Sequence, residues 1–154
     1  MQLVTDKRLP FDASVDEVWA AMTDVGSYQK WWPWLRGFDA NALDAGQIWR
    51  CEIVAPLRYT VAFSLKFDVV VPATHIECSL RGDITGGAWI DLEERGGRSD
   101  IWIRSQLAPA SPFLRGLTRF LYPIALAGHN AVIDNGAKQF QERALTPGAS
   151  DTTR

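Results

Sequence analysis

Cysteine and histidine are scarce in this sequence, which has two of each. Cys51 and Cys78 stand in no CxxC pair and at no metal-type spacing from a histidine, and His75 and His129 are too few for a histidine-rich metal site. We therefore predict that the protein has no metal site. Both cysteines fall on apolar faces of predicted strands, so we expect buried free thiols, which fit a reducing cytoplasm.

Long hydrophobic runs and an excess of charge are also missing. The longest nearly apolar run, Phe120–Gly128, is too short to span a bilayer and contains a proline, and the N-terminus has no apolar signal core. The net charge is −2 and basic residues do not cluster, which disfavours a nucleic-acid partner. We expect a soluble cytoplasmic protein without stable membrane insertion. It would be a monomer or a homodimer, a choice that the sequence leaves open.

Motifs that bind nucleotides or carry a nucleophile are absent as well. There is no P-loop, no GxGxxG and no GxSxG, and the pairs Gly86-Gly87 and Gly96-Gly97 are predicted to be turn glycines. We therefore predict no cofactor.

What the sequence does contain is a series of alternating apolar and polar segments, typical of strands with one buried face. Tyr59–Val71 alternates most clearly, and all its odd-numbered residues are predicted to point inward. The segment 82–87 is predicted to be a turn-rich link, and the register of 88–95 stays open: either Ile90 and Leu92 face inward, or Trp89 and Asp91 do. A bulge near Gly86 could serve both. The predicted strands are 2–11, 38–43, 47–54, 59–71, 74–81, 88–95 and 99–107.

Two short helical segments follow the first strand. Ser14 and Glu17 form a capping box, which predicts a helix that starts at Val15 and ends near Asp24. The cluster 31–34, of sequence WWPW, predicts a second short helix or turn. It is either a hydrophobic plug that closes the sheet or the rim of a pocket.

The last third of the chain, 111–145, predicts a long helix interrupted at Pro123 by a kink or a fresh start. Two glycines within it, Gly128 and Gly136, each cost about 1 kcal/mol relative to alanine. Close approach to a sheet, or room for a bound molecule, would explain them. The residues predicted to face inward are Phe113, Leu117, Phe120, Leu121, Ile124, Gly128, Val132, Gly136 and Phe140, with His129 at the edge.

Strand, two short helices, six strands and a long helix predict an α+β domain over 1–145 with a disordered tail at 146–154. The order and four local patterns resemble the START-like superfamily, also called Bet v 1-like, SRPBCC or helix-grip, and within it the polyketide cyclase/dehydrase and lipid-transport group, especially small bacterial members. The resemblance implies a curved seven-stranded antiparallel sheet wrapped around the C-terminal helix. The four patterns are 11–19 with 23–24 and 31–34, then 55–59, 82–89 and 129–136.

The superfamily includes binding proteins and enzymes, so the resemblance leaves the function open. We predict that a cavity between sheet and final helix binds a hydrophobic or aromatic molecule, lipid- or polyketide-like. The alternatives are a cyclase/dehydratase, aromatase-like, in which His129 or Tyr59 moves protons, and a protein-interaction module that uses Trp102 and the exposed sheet face. The candidate ligand-binding residues are Trp32, Tyr59, Phe63, Phe67, Trp89, Ile103, Ser105, Phe120, Ile124, Gly128, His129 and Val132.

The polar candidates each have a structural alternative. His129 could act as an acid or base near neutral pH, or could bridge helix and sheet through a backbone carbonyl. The carboxylates Asp91, Glu93 and Glu94 are predicted to lie on a solvated face rather than to form a paired site.

Overall fold

The computed structural model describes residues 2–55, 58–120 and 122–145, the last range without the side chains of 122–125. The predicted tail at 146–154 and the side chains of Leu121 and Ile124 therefore lie outside the described residues. The described strands are β1 (Leu3–Phe11), β2 (Leu35–Asp39), β3 (Ile48–Val54), β4 (Thr60–Val71), β5 (His75–Gly82), β6 (Ile84–Arg95) and β7 (Arg98–Pro109). The described helices are α1 (Val15–Thr23), α2 (Tyr28–Trp31), α3 (Pro112–Phe120) and α4 (Tyr122–Arg143), with a 3₁₀ turn at Val25–Ser27.

The strands form one seven-stranded antiparallel sheet in the order β1-β7-β6-β5-β4-β3-β2. Consecutive strands from β2 to β7 are neighbours, and β1 closes the series by pairing with β7 from Leu3↔Leu107 to Phe11↔Ser99. The sheet is curved, and we call the face that carries the core the inner face. This is the α+β helix-grip arrangement that the sequence predicted.

Helix α4 runs along β1 on the inner face. Its contacts advance in step with the strand: the side chain of His129 meets that of Thr5, and Lys7 pairs with Asp134 at 2.7 Å. Further along, the rings of Phe11 and Phe140 pack edge to face with centroids 5.4 Å apart. The helix therefore grips the sheet along most of its own length.

The WWPW segment forms a plug at one end of this grip. Trp31 is buried, and its ring packs edge to face on Phe140 with centroids 5.5 Å apart. Trp32 Nε1 donates to the carbonyl of Gly136 at 2.9 Å, and Trp34 Nε1 donates to Gln139 at 2.8 Å. Both indole donors are thus satisfied by α4, as buried tryptophan requires, and the aromatic groups fill this end rather than line a pocket.

The alternation predicted for 59–71 is wrong beyond Phe67. A β-bulge between Phe67 and Val69 shifts the register against β5, so that Val70 pairs with Ile76 and packs against the core. Val71 is consequently exposed instead of inward-facing. One extra residue reverses the two faces of the strand, and the continuous alternation of the sequence does not reveal it.

Strand β6 is longer than predicted, because it begins at Ile84 and includes the predicted turn link. The open register is resolved with Ile90 and Leu92 on the inner face, where they pair with Ile103 and Ile101. No bulge interrupts the ladder there. Gly86 instead has a φ of +144°, and a Cβ at this position would lie 2.0 Å from the carbonyl oxygen of Gln106, so only glycine fits.

The final region is helical over 112–120 and 122–143, on either side of residue 121, which lies outside the described residues. The kink or fresh start at Pro123 therefore stays a prediction. The inward face predicted for α3 is wrong in part: Leu114 and Thr118 are buried, whereas Phe113 and Phe120 are exposed.

Candidate functional site

A cavity lies at the other end of the grip, opposite the aromatic plug. It is bounded by the inner face, by the hairpin between β3 and β4, and by α3 and the first turns of α4. It encloses about 80 Å³. Its walls are formed by Leu3, Ile53, Ala55, Tyr59, Val61, Ile84, Leu107, Ala108, Pro109, Leu114, Leu117, Thr118, Gly128, His129 and Val132.

The cavity is small for a ligand-binding site. About 80 Å³ is room for a few water molecules, whereas pockets that enclose drug-sized ligands have roughly 300–1,000 Å³. A lipid- or polyketide-sized ligand therefore requires a wall to move. Helix α3 is a candidate for this movement, since only Leu114 and Thr118 of its side chains are buried.

Tyr59 contributes a hydroxyl group to the wall of this cavity. The residue follows Arg58, whose φ of +61° turns the chain into β4. Its ring packs on Phe113 of α3 with centroids 5.9 Å apart, and no hydrogen bond to its hydroxyl is found among the described residues. Burial raises the pKa of Tyr59, so the group is a neutral donor and acceptor that is free to bind a polar atom of a ligand.

Gly128 allows this hydroxyl to come close to α4. A Cβ at Gly128 would lie 3.1 Å from Tyr59 Oη, and one at Gly136 would lie 3.3 Å from Cζ2 of Trp34. Each interior glycine therefore faces an aromatic side chain of another element. This explains the cost of about 1 kcal/mol that glycine brings to a helix interior.

His129 is a second polar group of the cavity wall, besides Thr118, whose hydroxyl donates to the carbonyl of Leu114. Its Nε2 lies 2.7 Å from Thr5 Oγ1, and which atom donates depends on the imidazole tautomer. Burial and then the positive charge of Lys7 lower the pKa of His129, so the ring is neutral at pH 7. The histidine does bridge helix and sheet, through a hydroxyl group rather than the predicted backbone carbonyl, and no carboxylate contacts it.

The structure brings four of the predicted ligand-binding residues to this cavity: Tyr59, Gly128, His129 and Val132. Ile103 and Ser105 lie on the inner face but are not among the residues that form the cavity wall. Phe67 is buried against Trp49, and Phe63 packs on the core beside an open groove. Whether any of them contacts a ligand stays a prediction.

Three other predicted residues lie elsewhere. Trp32 belongs to the aromatic plug, Phe120 is exposed on α3, and Trp89 lies on the outer face of the sheet. Trp89 lies on the outer face because the register of β6 gives the inward positions to Ala88 and Ile90. Ile124 lies in the part of α4 whose side chains are not described.

Several wall residues were missed although a signal for them exists. Leu3, Ile53, Val61 and Leu107 occupy predicted inward positions of strands, so the alternation already placed them on the right face. The sequence does not determine where along each strand these residues lie relative to α3.

The outer face carries a separate network of charges. His75 lies 2.6 Å from Asp91 and 2.8 Å from Glu77, and Arg104 pairs with Asp91 at 3.0 Å. The hydrogen bond with Glu77 is the main cause that raises the pKa of His75, with Asp91 adding to it. Among the described residues no group of three or more histidine, cysteine or carboxylate side chains is placed to hold a metal ion.

Trp102 is engaged on this same face. The guanidinium groups of Arg8 and Arg104 lie 4.5 and 4.0 Å from its ring centroid, and its Nε1 donates to Asp6 at 2.6 Å. Of the predicted solvated carboxylates, Glu93 pairs with Arg8 and Glu94 accepts from the backbone N–H of Val15 at the start of α1. Trp102, Glu93 and Glu94 are thus held by contacts with other residues of the same domain.

Comparison with known proteins gives the fold and no more. No family model matches the sequence, and no curated protein matches it. A START superfamily protein from Mycobacterium smegmatis superposes with a TM-score of 0.72 at 14% identity, over 93% of this chain and 99% of that one. The protein Ara h 8.0201 gives 0.68 at 13% identity, over 94% and 99%.

The Zhui aromatase/cyclase from Streptomyces sp. R1128 also matches, with a TM-score of 0.68 at 16% identity over 100% of this chain and 97% of that one. The predicted resemblance is therefore confirmed at the level of architecture: the chain has the START/Bet v 1-like, or SRPBCC, fold.

Proposed function

We propose that this helix-grip protein binds a hydrophobic or aromatic small molecule, lipid- or polyketide-like, in the cavity between the inner face, α3 and α4. The observation that carries the proposal is an apolar hollow whose wall includes the hydroxyl of Tyr59, a group for which the described residues show no hydrogen-bond partner. Apolar walls with a few convergent polar groups are the usual form of a small-molecule site. The solved structures of the same fold that carry START and aromatase/cyclase names support this class of ligand.

The polar groups define what the ligand would look like. Tyr59 can donate to or accept from one oxygen, and the neutral imidazole of His129 offers a second polar point without charge. The rest of the wall is aliphatic apart from Thr118, whose hydroxyl donates within α3, so a ligand with an extended polar or ionic part would lose hydration without compensation. A flat or chain-like molecule with one hydroxyl or carbonyl group fits best, and the cavity would enlarge as α3 moves away from the sheet.

Binding can be tested without knowing the ligand. Native mass spectrometry of freshly purified protein tests for a co-purifying molecule, and titration with the uncharged fluorescent probe N-phenyl-1-naphthylamine tests the cavity directly. Val132→Phe fills the cavity and should weaken probe binding at least tenfold, while Ile133→Phe, next to it on α4 and outside the wall, serves as the matched control. Equal probe binding in both variants would place the probe elsewhere and reject the cavity.

A second candidate is catalysis of the cyclase/dehydratase kind in the same cavity. It is favoured by one observation: the cavity wall carries two groups able to move a proton, neutral His129 and Tyr59. Incubation with a poly-β-ketone substrate analogue, followed by mass spectrometry, tests for loss of water. Tyr59→Phe and His129→Gln should abolish turnover while retaining binding; turnover that survives both variants would rule out these roles.

The cellular setting is part of the proposal. Cys51 and Cys78 are buried free thiols whose pKa values burial raises to about 12, so they are inert toward oxidation and suit the reducing cytoplasm. Light scattering of the purified chain would distinguish monomer from homodimer.

A further inference from the structure

Helix α3 presents two phenylalanines to solvent. Phe113 is 60% exposed and Phe120 is 77% exposed. They are seven residues apart, which is two helical turns, so they lie on the same side of α3. The other large exposed hydrophobic residues of the described chain lie on three different strands: Val4, Ile48 and Val71.

Neither phenylalanine is covered by its neighbours. Phe113 touches Tyr59 with one face of its ring, and the contact recorded for Phe120 is the guanidinium group of Arg119, 5.5 Å from the ring centroid. Leu114 and Thr118 already supply the face of α3 that packs on the domain. The two rings therefore contribute little to the core. Full burial of each ring in an apolar medium would be favourable by roughly 1.5–3 kcal/mol of free energy.

The charged side chains of α3 have one sign. Arg115 and Arg119 are exposed on α3, four residues apart, and exposed Arg58 precedes Tyr59, whose ring contacts Phe113. The sequence has no aspartate or glutamate from 101 to 133, although the whole chain carries a net charge of −2. Asp83 lies beside the start of the helix, where its carbonyl accepts from the backbone just before α3, but the side chains that α3 itself exposes are apolar or basic.

We propose that α3 docks the protein reversibly on an anionic phospholipid surface, with Phe113 and Phe120 inserted among the acyl chains and Arg115 and Arg119 on the phosphates. An exposed apolar edge flanked by arginines is the pattern of helices that lie in a membrane interface. No helix of the described residues is long and apolar enough to cross a bilayer, so the association is peripheral. A second copy of the chain fits less well, because a symmetric contact through α3 would bring the two basic helices together.

Docking would act on the cavity because the same helix serves both. Leu114, Leu117 and Thr118 of α3 form part of the cavity wall, so rings drawn into a bilayer would pull on that wall. The docking itself needs no ligand in the cavity. Membrane docking can therefore be confirmed or rejected independently of ligand binding in the cavity.

Vesicle flotation tests the docking with two lipid compositions, phosphatidylcholine alone and phosphatidylcholine with about one third phosphatidylglycerol. We expect binding to the anionic vesicles only, falling as salt is raised. Arg115→Gln with Arg119→Gln should weaken binding about 25-fold, since each basic residue at an anionic surface contributes about fivefold. Phe120→Ser should weaken it at least tenfold, since burial of one aromatic ring contributes about that much.

Ile48→Ser is the matched control, because Ile48 is 58% exposed and lies at the start of β3, outside α3. Phe120→Ser removes a side chain without core contacts, so its circular dichroism and melting temperature should match those of the wild type. Absence of vesicle binding, or binding that the α3 variants leave unchanged, would overturn the proposal. So would a dimer in light scattering that Phe120→Ser dissociates without any vesicle binding, which would assign the patch to a second copy.

Discussion

The Nε2 atom of His129 lies 2.7 Å from the hydroxyl oxygen of Thr5. This contact joins α4 to β1 beside the cavity, and Thr5 is among the few buried polar residues of the inner face. A partly buried hydrogen bond of this kind contributes about 1 kcal/mol, and a buried group left without its partner costs more.

Thr5→Val should therefore destabilise the protein by about 1–3 kcal/mol, because it keeps the shape of the side chain but leaves the imidazole nitrogen unpaired. The measurement is the free energy of unfolding by urea. Thr60→Val, at an exposed position of β4, is the control and should change little. Equal stability of Thr5→Val and the wild type would mean that the contact contributes nothing.

The two histidines should affect stability with opposite dependence on pH. The folded protein, whose His129 has a lowered pKa, binds fewer protons than the unfolded chain below about pH 6.5, so acidification through that pH destabilises it. His75 has a raised pKa, so its stabilisation is full below about pH 6.5 and is lost as pH rises through the folded-state value.

Urea unfolding at about pH 5 and about pH 8 separates the two contributions. His129→Gln should lose less stability on acidification than the wild type, and His75→Gln should lose more. Variants that both follow the wild-type dependence would show that neither histidine is perturbed as its surroundings indicate.

Two glycines in the final helices should respond differently to alanine. Gly116 of α3 has no atom within 4 Å of a Cβ, whereas a Cβ at Gly136 would lie 3.3 Å from the ring of Trp34. Gly116→Ala should raise the free energy of unfolding by about 1 kcal/mol through helix propensity alone. Gly136→Ala should gain less or lose stability, because the tryptophan is fixed by its hydrogen bond to Gln139. A gain at Gly136 equal to that at Gly116 would refute the packing explanation.

Gly128 and Tyr59 should be coupled for the same reason. Gly128→Ala brings a Cβ to 3.1 Å from the tyrosine hydroxyl, so in the wild-type background the gain of about 1 kcal/mol from helix propensity is offset by crowding. In a Tyr59→Phe background the oxygen is gone and the gain should reappear. A double-mutant cycle measured by thermal unfolding checks this, and additive effects would show that the two residues do not constrain each other.

Local patterns in the sequence predicted much of the architecture. The capping box at Ser14 and Glu17 predicted the start of α1, where the Ser14 hydroxyl does accept from the Glu17 N–H. Apolar alternation predicted the core face of β3 and β5. Each of these depends on residues a few positions apart, so backbone geometry and the requirement to bury apolar side chains decide them.

The site depended on relations that no local pattern contains. The bulge after Phe67 reverses the faces of β4, and the register of β6 puts Trp89 outside, because pairing with neighbouring strands and not composition fixes both. Likewise, α3 carries apolar residues on more than one side, and only its position on the sheet decided that Leu114 would line the cavity and Phe120 would face solvent. A helix with apolar residues on two sides can bury only one of them against a sheet, and which one is buried follows from the geometry of the whole fold.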